Sequence, residues 1–272
     1  LDQIISESHV GRASTRGGIA SGECTIMHGD CRELLATIAP GSIDLVIADP
    51  PYNETKLKWD KEVKGWLKAL LPLMAPHASL WCFGSLRFFM NHKDEFSPDW
   101  SIMQEVVWEK QNGAGPPDKG RFNRVHELIV QFRPTAVPPN QIRAHSPMTF
   151  DAVARKITAR KGPGHRGEYA STGYETQDGG ARRARSVQRF KSMHHAAVHP
   201  TQKPGELVRM LIESYSNPGD LVLDPFGGSG TTGVSALMAG RRAILIEKLP
   251  HFVALCEQRI EEATLQPELI FG

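Results

Sequence analysis

Ile43-Asp44-Leu45-Val46-Ile47-Ala48-Asp49-Pro50-Pro51-Tyr52 reads as a short buried strand that ends in a carboxylate, two prolines and an aromatic ring. The prolines remove two backbone N–H donors and hold φ at about −65°, which leaves bare carbonyl acceptors at the strand's end. Tyr52 adds a flat face and Asp49 two acceptor oxygens. Acceptors ringed beneath an aromatic plate suit a planar group carrying an –NH2, such as a nucleobase with an exocyclic amine.

Working outward, residues 1–21 are rich in Gly, Ser and Thr and read as a flexible arm; the chain opens on Leu1, so its encoded first residue is expected upstream. Cys24–His28 is a short strand ending at Gly29-Asp30, and a helix over Arg32–Ile38 is stopped by Pro40-Gly41. After Tyr52 the polar stretch Asn53–Asp60 predicts a mobile loop over the site. Val63, Trp66, Leu67, Leu70 and Leu71 predict a helix across Lys61–Met74, followed by the buried strand Leu80–Gly84. Two more strands are expected around Met103–Trp108 and Glu127–Phe132.

From Pro134 to about residue 196 periodicity fades, which marks an insert. His199-Pro200-Thr201-Gln202-Lys203-Pro204 then introduces a helix to Tyr215. The strand Leu221–Asp224, a glycine turn, a helix over Thr231–Met238, the strand Ala243–Glu247 and a helix from Pro250 to Glu262 complete the pattern. Strands alternating with helices across short turns predict an α/β fold, a mainly parallel sheet with helices on both faces. The expected divisions are an arm (1–21), a first half (22–133), the insert (134–196) and a second half (197–272).

A chain of 272 residues, 40% hydrophobic and 23% charged, suits one large globular domain with a small insert. No apolar run approaches the roughly 18 residues of a membrane span. Cys24, Cys31, Cys82 and Cys256 are scattered, which argues against a metal site or disulfide frame and fits a reducing cytoplasm. The net charge of +2 hides an asymmetry. Between residues 151 and 195 ten basic residues face four acids, giving that stretch +6 and the remainder −4. A basic insert on a slightly acidic body points to a polyanion, with a solvated loop as the plainer reading.

Asp224-Pro225-Phe226-Gly227-Gly228-Ser229-Gly230-Thr231-Thr232-Gly233 follows a strand and opens a helix, so its backbone can approach a ligand closely. Residues 228–233 match G-x-G-x-x-G and Glu247 ends the next strand, so a nicotinamide-dependent oxidoreductase must be weighed. Against it, Asp224 sits where a pyrophosphate would be repelled. That acid suits a cationic ligand, and S-adenosylmethionine carries both a sulfonium and an ammonium. No Lys follows the glycines, which excludes a P-loop. Asp30 and Glu247, at strand ends, could accept an adenine amino group and ribose hydroxyls. Thr201 could cap its helix, and Lys203 could face the methionine carboxylate.

Together these motifs resemble the β group of amino-methylating DNA methyltransferases. There D-P-P-Y precedes the target-recognition region and D-P-F-x-G-S-G-T-T comes last, as here. Trp108-Glu109-Lys110, Arg121-Phe122 and His126-Glu127 are similar to that family's segment between the two halves. The resemblance implies a doubly wound, seven-stranded sheet of the S-adenosylmethionine-dependent methyltransferase type, circularly permuted. It implies a catalytic motif of Asp49, Pro50, Pro51 and Tyr52. The donor pocket would take Asp30, Cys31, Asp49, Thr201, Lys203, Asp224, Phe226, Gly228, Gly230, Thr231, Thr232 and Glu247. Duplex DNA would meet Lys56, Lys58, Arg121, Arg155, Arg160, Arg182, Arg183 and Arg185. A cytoplasmic, nucleoid-associated enzyme is implied, with a homodimer and a cognate restriction endonuclease among the partners the resemblance allows. Asp at the first motif position favours adenine N6 as target; cytosine N4 is the alternative, and a non-catalytic DNA-binding module a third reading.

Overall fold

The computed structural model describes residues 10–13, 23–111, 120, 122–164, 167–191 and 202–265. Nine strands build one sheet: β1 (Val10–Ala13), β2 (Cys24–His28), β3 (Ile43–Ala48), β4 (Met74–Gly84), β5 (Trp100–Glu109), β6 (His126–Pro134), β7 (Val187–Arg189), β8 (Leu221–Asp224) and β9 (Arg242–Glu247). Their order across the sheet is β1-β2-β9-β8-β3-β4-β6-β5-β7. All seven strands expected from the sequence are present. Strands β2, β9, β8, β3 and β4 run parallel, while β6 is antiparallel to both of its neighbours.

The two additional strands are edges. β1 pairs antiparallel with β2, so part of the expected arm belongs to the sheet and covers backbone groups that β2 would otherwise leave unpaired. At the other edge β7 adds three residues parallel to β5, inside what had been expected to be the insert.

Both faces of the sheet are covered, which explains the apolar runs of its central strands. Leu45 and Ile47 point to one face, where α5 (Gly205–Tyr215), α6 (Thr231–Met238) and α7 (Pro250–Leu265) pack. Val46 and Ala48 point to the other, against α1 (Cys31–Leu34), α2 (Trp66–Leu70), α3 (Leu86–Asn91) and α4 (Lys93–Phe96). Leu45, Val46 and Ala48 are wholly buried, and truncating such a leucine to alanine costs about 2–5 kcal/mol. The helix expected across Lys61–Met74 is far shorter. Gly65 is left-handed at φ 84°, which holds the helical turn off until Trp66, and Met74 already belongs to β4.

Ser146–Arg185 forms a compact unit of its own, narrower than the expected insert. It is a two-stranded antiparallel ribbon in which Met148–Thr149 pairs with Arg182–Arg183, Arg155–Ile157 with Tyr174–Thr176, and Arg160–Gly164 with Gly167–Ser171. The residue numbers of every pair add to the same total, so the register holds through both interruptions. Across the first of them, Ala152 and Gly180 bond through N–H and carbonyl, Asp178 accepts the Ala154 N–H, and Arg182 pairs with Asp151. Among the described residues no helix is long and apolar enough to cross a membrane.

Candidate active site

β8 and β3 are neighbours, Val222 pairing with Leu45 and Leu223 with Val46. This is where the strand order reverses, the place where open α/β sheets bind ligands beyond the carboxyl ends of their strands. Asp224 ends β8 and Asp49 follows β3, and both line one cavity of about 410 Å3. Residues 175 positions apart in sequence thus share a wall. Asp30, Cys31, Pro51, Lys203, Phe226, Gly228, Thr231, Thr232 and Glu247 line the same cavity.

Asp49 is held at both oxygens. Tyr52 donates its hydroxyl to Oδ1 at 2.6 Å, and Lys203 Nζ donates to Oδ2 at 2.6 Å. Burial pushes the Asp49 carboxyl above its ordinary range, against the pull of Lys203. The same burial opposes the Lys203 ammonium, but Asp49 and Glu127 outweigh it and hold the amine charged. Lys203 was expected to face a donor carboxylate; its ammonium instead bridges Asp49 and Glu127, the latter at 3.4 Å. The Tyr52 ring packs on Phe88 at 5.3 Å, which fixes its plane beside the acceptors.

On the other side of the cavity Asp224 Oδ2 accepts the Thr232 hydroxyl at 2.6 Å and Oδ1 the Phe226 N–H at 2.9 Å. Burial pushes its carboxyl up to about 7. Glu247 accepts N–H bonds from Gly228 and Leu249, one on each oxygen, which leaves lone pairs on both for a ligand. Gly230, at φ 79°, immediately precedes α6 and does not line the cavity. A Cβ there would stand 3.2 Å from the Cys256 Cα, so its glycine serves close packing of the turn on α7. Asp30 was expected to accept an adenine amino group. Its oxygens instead cap α1 and accept from Arg32 and Lys248, four contacts that use its acceptor capacity.

The loop expected to be mobile is pinned. Asp60 is buried, and its carboxylate accepts the backbone N–H groups of Asn53, Glu54 and Thr55 at 2.8, 3.0 and 2.7 Å. The ring so formed carries Lys58 and Trp59 onto the cavity, with Trp59 edge-on to Phe252 of α7 at 6.4 Å. Among the described residues no group of His, Cys, Asp and Glu is placed to hold a metal ion.

Residues 43–258 match the model of the N6/N4 DNA methylase family, four-fifths of the chain. The chain belongs to that family. This DNA methylase is 29% identical over 280 residues to Type II methyltransferase M.HinfI of Haemophilus influenzae, covering 89% of the chain and 70% of the relative. It is 27% identical to Type II methyltransferase M2.DpnII of Streptococcus pneumoniae, covering 87% and 89%. Its fold matches the crystal structure of the M1.HpyAVI–SAM complex with a TM-score of 0.57 at 23% identity, over 87% of this chain and 99% of the other. It matches the cytosine-N4-specific PvuII DNA methyltransferase with a TM-score of 0.59 at 17% identity, over 89% and 92%. The dehydrogenase reading of the glycines and the non-catalytic reading are thereby set aside.

Sequence reasoning missed several residues of the methylase's site. Glu127 and Lys110, quoted above only as part of the segment between the two halves, form a partly buried ion pair beside Lys203, and Phe83 lies under Lys203 at 5.3 Å. A signal for Glu127 existed: it shares a strand face with Ile129 and Gln131, both buried. An acid at that spacing is not a surface residue. Of the expected DNA contacts, Lys56 and Lys58 are exposed on the pinned loop. Arg155, Arg160, Arg182, Arg183 and Arg185 belong to the ribbon unit. Thr201 and Arg121 lie outside the described residues.

Proposed function

We propose that the chain transfers a methyl group from S-adenosylmethionine to the N6 amino group of adenine in duplex DNA. The observation that carries the proposal is one cavity lined both by Asp49 and Pro51 of the D-P-P-Y motif and by residues of the Asp224–Thr232 turn. A buried acid pair, Asp224 and Glu247, both pushed toward neutrality by burial, fits a cationic ligand that would restore their charge. When bound, the donor supplies an electrophilic methyl on a positively charged sulfur.

The residues of the chain then have separable tasks. Glu247 accepts ribose hydroxyls, and Asp224 faces the cationic part of the donor. Asp49 and the Pro50 carbonyl accept the two N–H bonds of the target amine, which holds its nitrogen in line and lets it become tetrahedral. Tyr52 stacks on the base. Alignment of this kind is worth on the order of 7–11 kcal/mol. The proton leaves the amine toward Asp49 with or after methyl transfer. A base within a duplex cannot reach such a cavity, so it is flipped out of the stack. The ribbon unit, two strands rich in Arg and Lys, has the cross-section that a major groove admits, and we assign it to target recognition.

Asp at position 49 favours adenine over cytosine. The Asp49→Ala protein should bind donor normally while losing about 100-fold or more in methyl transfer. Hydrolysis of labelled duplex to nucleosides should yield N6-methyladenine; N4-methylcytosine would overturn the choice of base, and near-normal turnover the role of Asp49.

A further inference from the structure

Beside the cavity lies a chain of partly buried charges that the transfer reaction, as described, does not use. Lys110 pairs with Glu127 Oε1, and its ammonium stands 4.7 Å over the Trp108 ring. Glu127 Oε2 is buried and has no hydrogen-bond partner among the described residues; Lys203 Nζ stands 3.4 Å from it. The same Nζ donates to Asp49 Oδ2 at 2.6 Å. Glu127 does not line the cavity, whereas Lys203 and Asp49 do. One ammonium therefore lies between two carboxylates, tight on the reactive one and loose on the one behind it. The loose one keeps an open acceptor.

An open buried acceptor is costly unless some state of the protein fills it. Asp49 Oδ2 is meanwhile engaged by a cation, which weakens it as an acceptor for an incoming N–H. Both problems are relieved by one short movement of the Lys203 ammonium from Asp49 toward Glu127 as the target amine arrives. We propose that Glu127 is a positioning residue that draws Lys203 off Asp49 when the target amine binds, so that Lys203 holds Asp49 in check until the amine arrives and then releases it as an acceptor. The inference rests on the reading of Asp49 as the acceptor of the amine.

The charges around Asp49 support the same division. Lys203 is the cation against it; Glu127, Tyr52, Cys82 and Asp224 are the ionisable groups of the surrounding strands and turn. Glu127 itself stays anionic: burial opposes its charge, but Lys203 and Lys110 prevail and hold its carboxyl below the ordinary range. A fixed negative charge beside Asp49 makes Asp49 harder to ionise. Removing it eases that ionisation, so any step that needs the Asp49 carboxylate should begin at lower pH. The same removal leaves Lys203 no second partner, so Asp49 stays engaged.

The test is Glu127→Gln in the full chain, read as kcat against pH with duplex DNA and saturating donor. The expected result pairs a plateau lower by about 100-fold with an acid limb displaced to lower pH by about half a unit or more, and a donor KM within about twofold. Lys203→Met should displace the same limb to higher pH. A merely structural role would lower the folded fraction without moving the limb, and that outcome overturns the proposal. If Glu127→Gln does not fold, Lys110→Met takes from Glu127 its other cation: Lys203 is drawn further from Asp49, and the limb should rise. A 13C-carboxyl NMR titration of Asp49 in the DNA-free protein reads the same displacement. A wild-type protein that methylates nothing would sink the functional reading, while an unmoved Asp49 titration in Glu127→Gln would sink this one.

Discussion

Asp60→Ala should open the loop that roofs the donor cavity while leaving the fold intact. The buried Asp60 carboxylate accepts three backbone N–H groups, from Asn53, Glu54 and Thr55, at 2.7–3.0 Å. Hydrogen bonds to a charged group contribute about 1.5–3 kcal/mol each, but these donors are only partly buried and water replaces the carboxylate once the loop opens. A net of about 1 kcal/mol per bond gives about 3 kcal/mol for loop closure, roughly a 100-fold loss of the closed state. Lys58 and Trp59 line the cavity from this loop, so donor affinity should fall by about 10- to 100-fold. Asp60→Asn should fall between. Its amide oxygen can still serve Glu54 and Thr55, which share Oδ2, while its NH2 group faces the Asn53 N–H. That loses one bond and about fivefold in affinity. Isothermal titration with S-adenosylmethionine gives the affinities, and limited proteolysis within 53–60 reports the opening. The thermal midpoint should move little, because the loop opens locally. Wild-type donor affinity and protease resistance in Asp60→Ala would refute the clamp.

Two further outcomes follow from charge. Asp224 is pushed up to about 7 by burial, so it is largely protonated in the empty protein below that pH. A cationic donor stabilises its ionised form, so affinity for S-adenosylmethionine should rise as pH increases from about 6 to 8, and affinity for the uncharged-sulfur product should rise less. Because the folded pKa lies above the unfolded one, this group costs stability progressively as pH rises from the unfolded value of about 4 toward 7 and at a constant level above it. Parallel pH slopes for donor and product would contradict the placement of the sulfonium. On the ribbon, Arg155→Ala and Arg183→Ala should each lower the slope of log affinity against log salt by about 0.9 if the side chain meets a phosphate. A base-reading arginine would instead relax sequence preference with the slope nearly unchanged. Binding to duplex that responds to neither substitution would remove the ribbon from target recognition.

Much of the fold was legible because its signals are local. Ile43–Ala48, Leu221–Asp224 and Cys24–His28 are runs of apolar and β-branched residues stopped by Pro, Gly or Asp, and the structure gives each the same bounds. The helix Thr231–Met238 was bounded by glycines on its N-terminal side. Local signals also failed in places. α3 (Leu86–Asn91) went unread although Ser85 caps it, accepting the Phe88 N–H. The helix across Lys61–Met74 was overdrawn because the spacing of Val63, Trp66, Leu67, Leu70 and Leu71 outweighed the left-handed Gly65 between them. The ribbon's register was hidden because its arms are polar on both faces and interrupted, so period-two alternation gave nothing to follow.

The sequence by itself determined which chemistry is available: a D-P-P-Y acceptor motif, a glycine turn behind an acid, their order along the chain and a basic insert between them. Those are properties of short segments, where backbone preference and residue type suffice. Which charges meet was decided by tertiary structure. Asp49 and Lys203 are separated by 154 positions, and Glu127 reaches Lys203 only because β6 lies beside β4 with one face turned to the packed side. No periodicity encodes such a meeting. An ion pair in a low-dielectric interior is fixed by the packing of the elements that carry it, and the same packing sets one ammonium between two carboxylates.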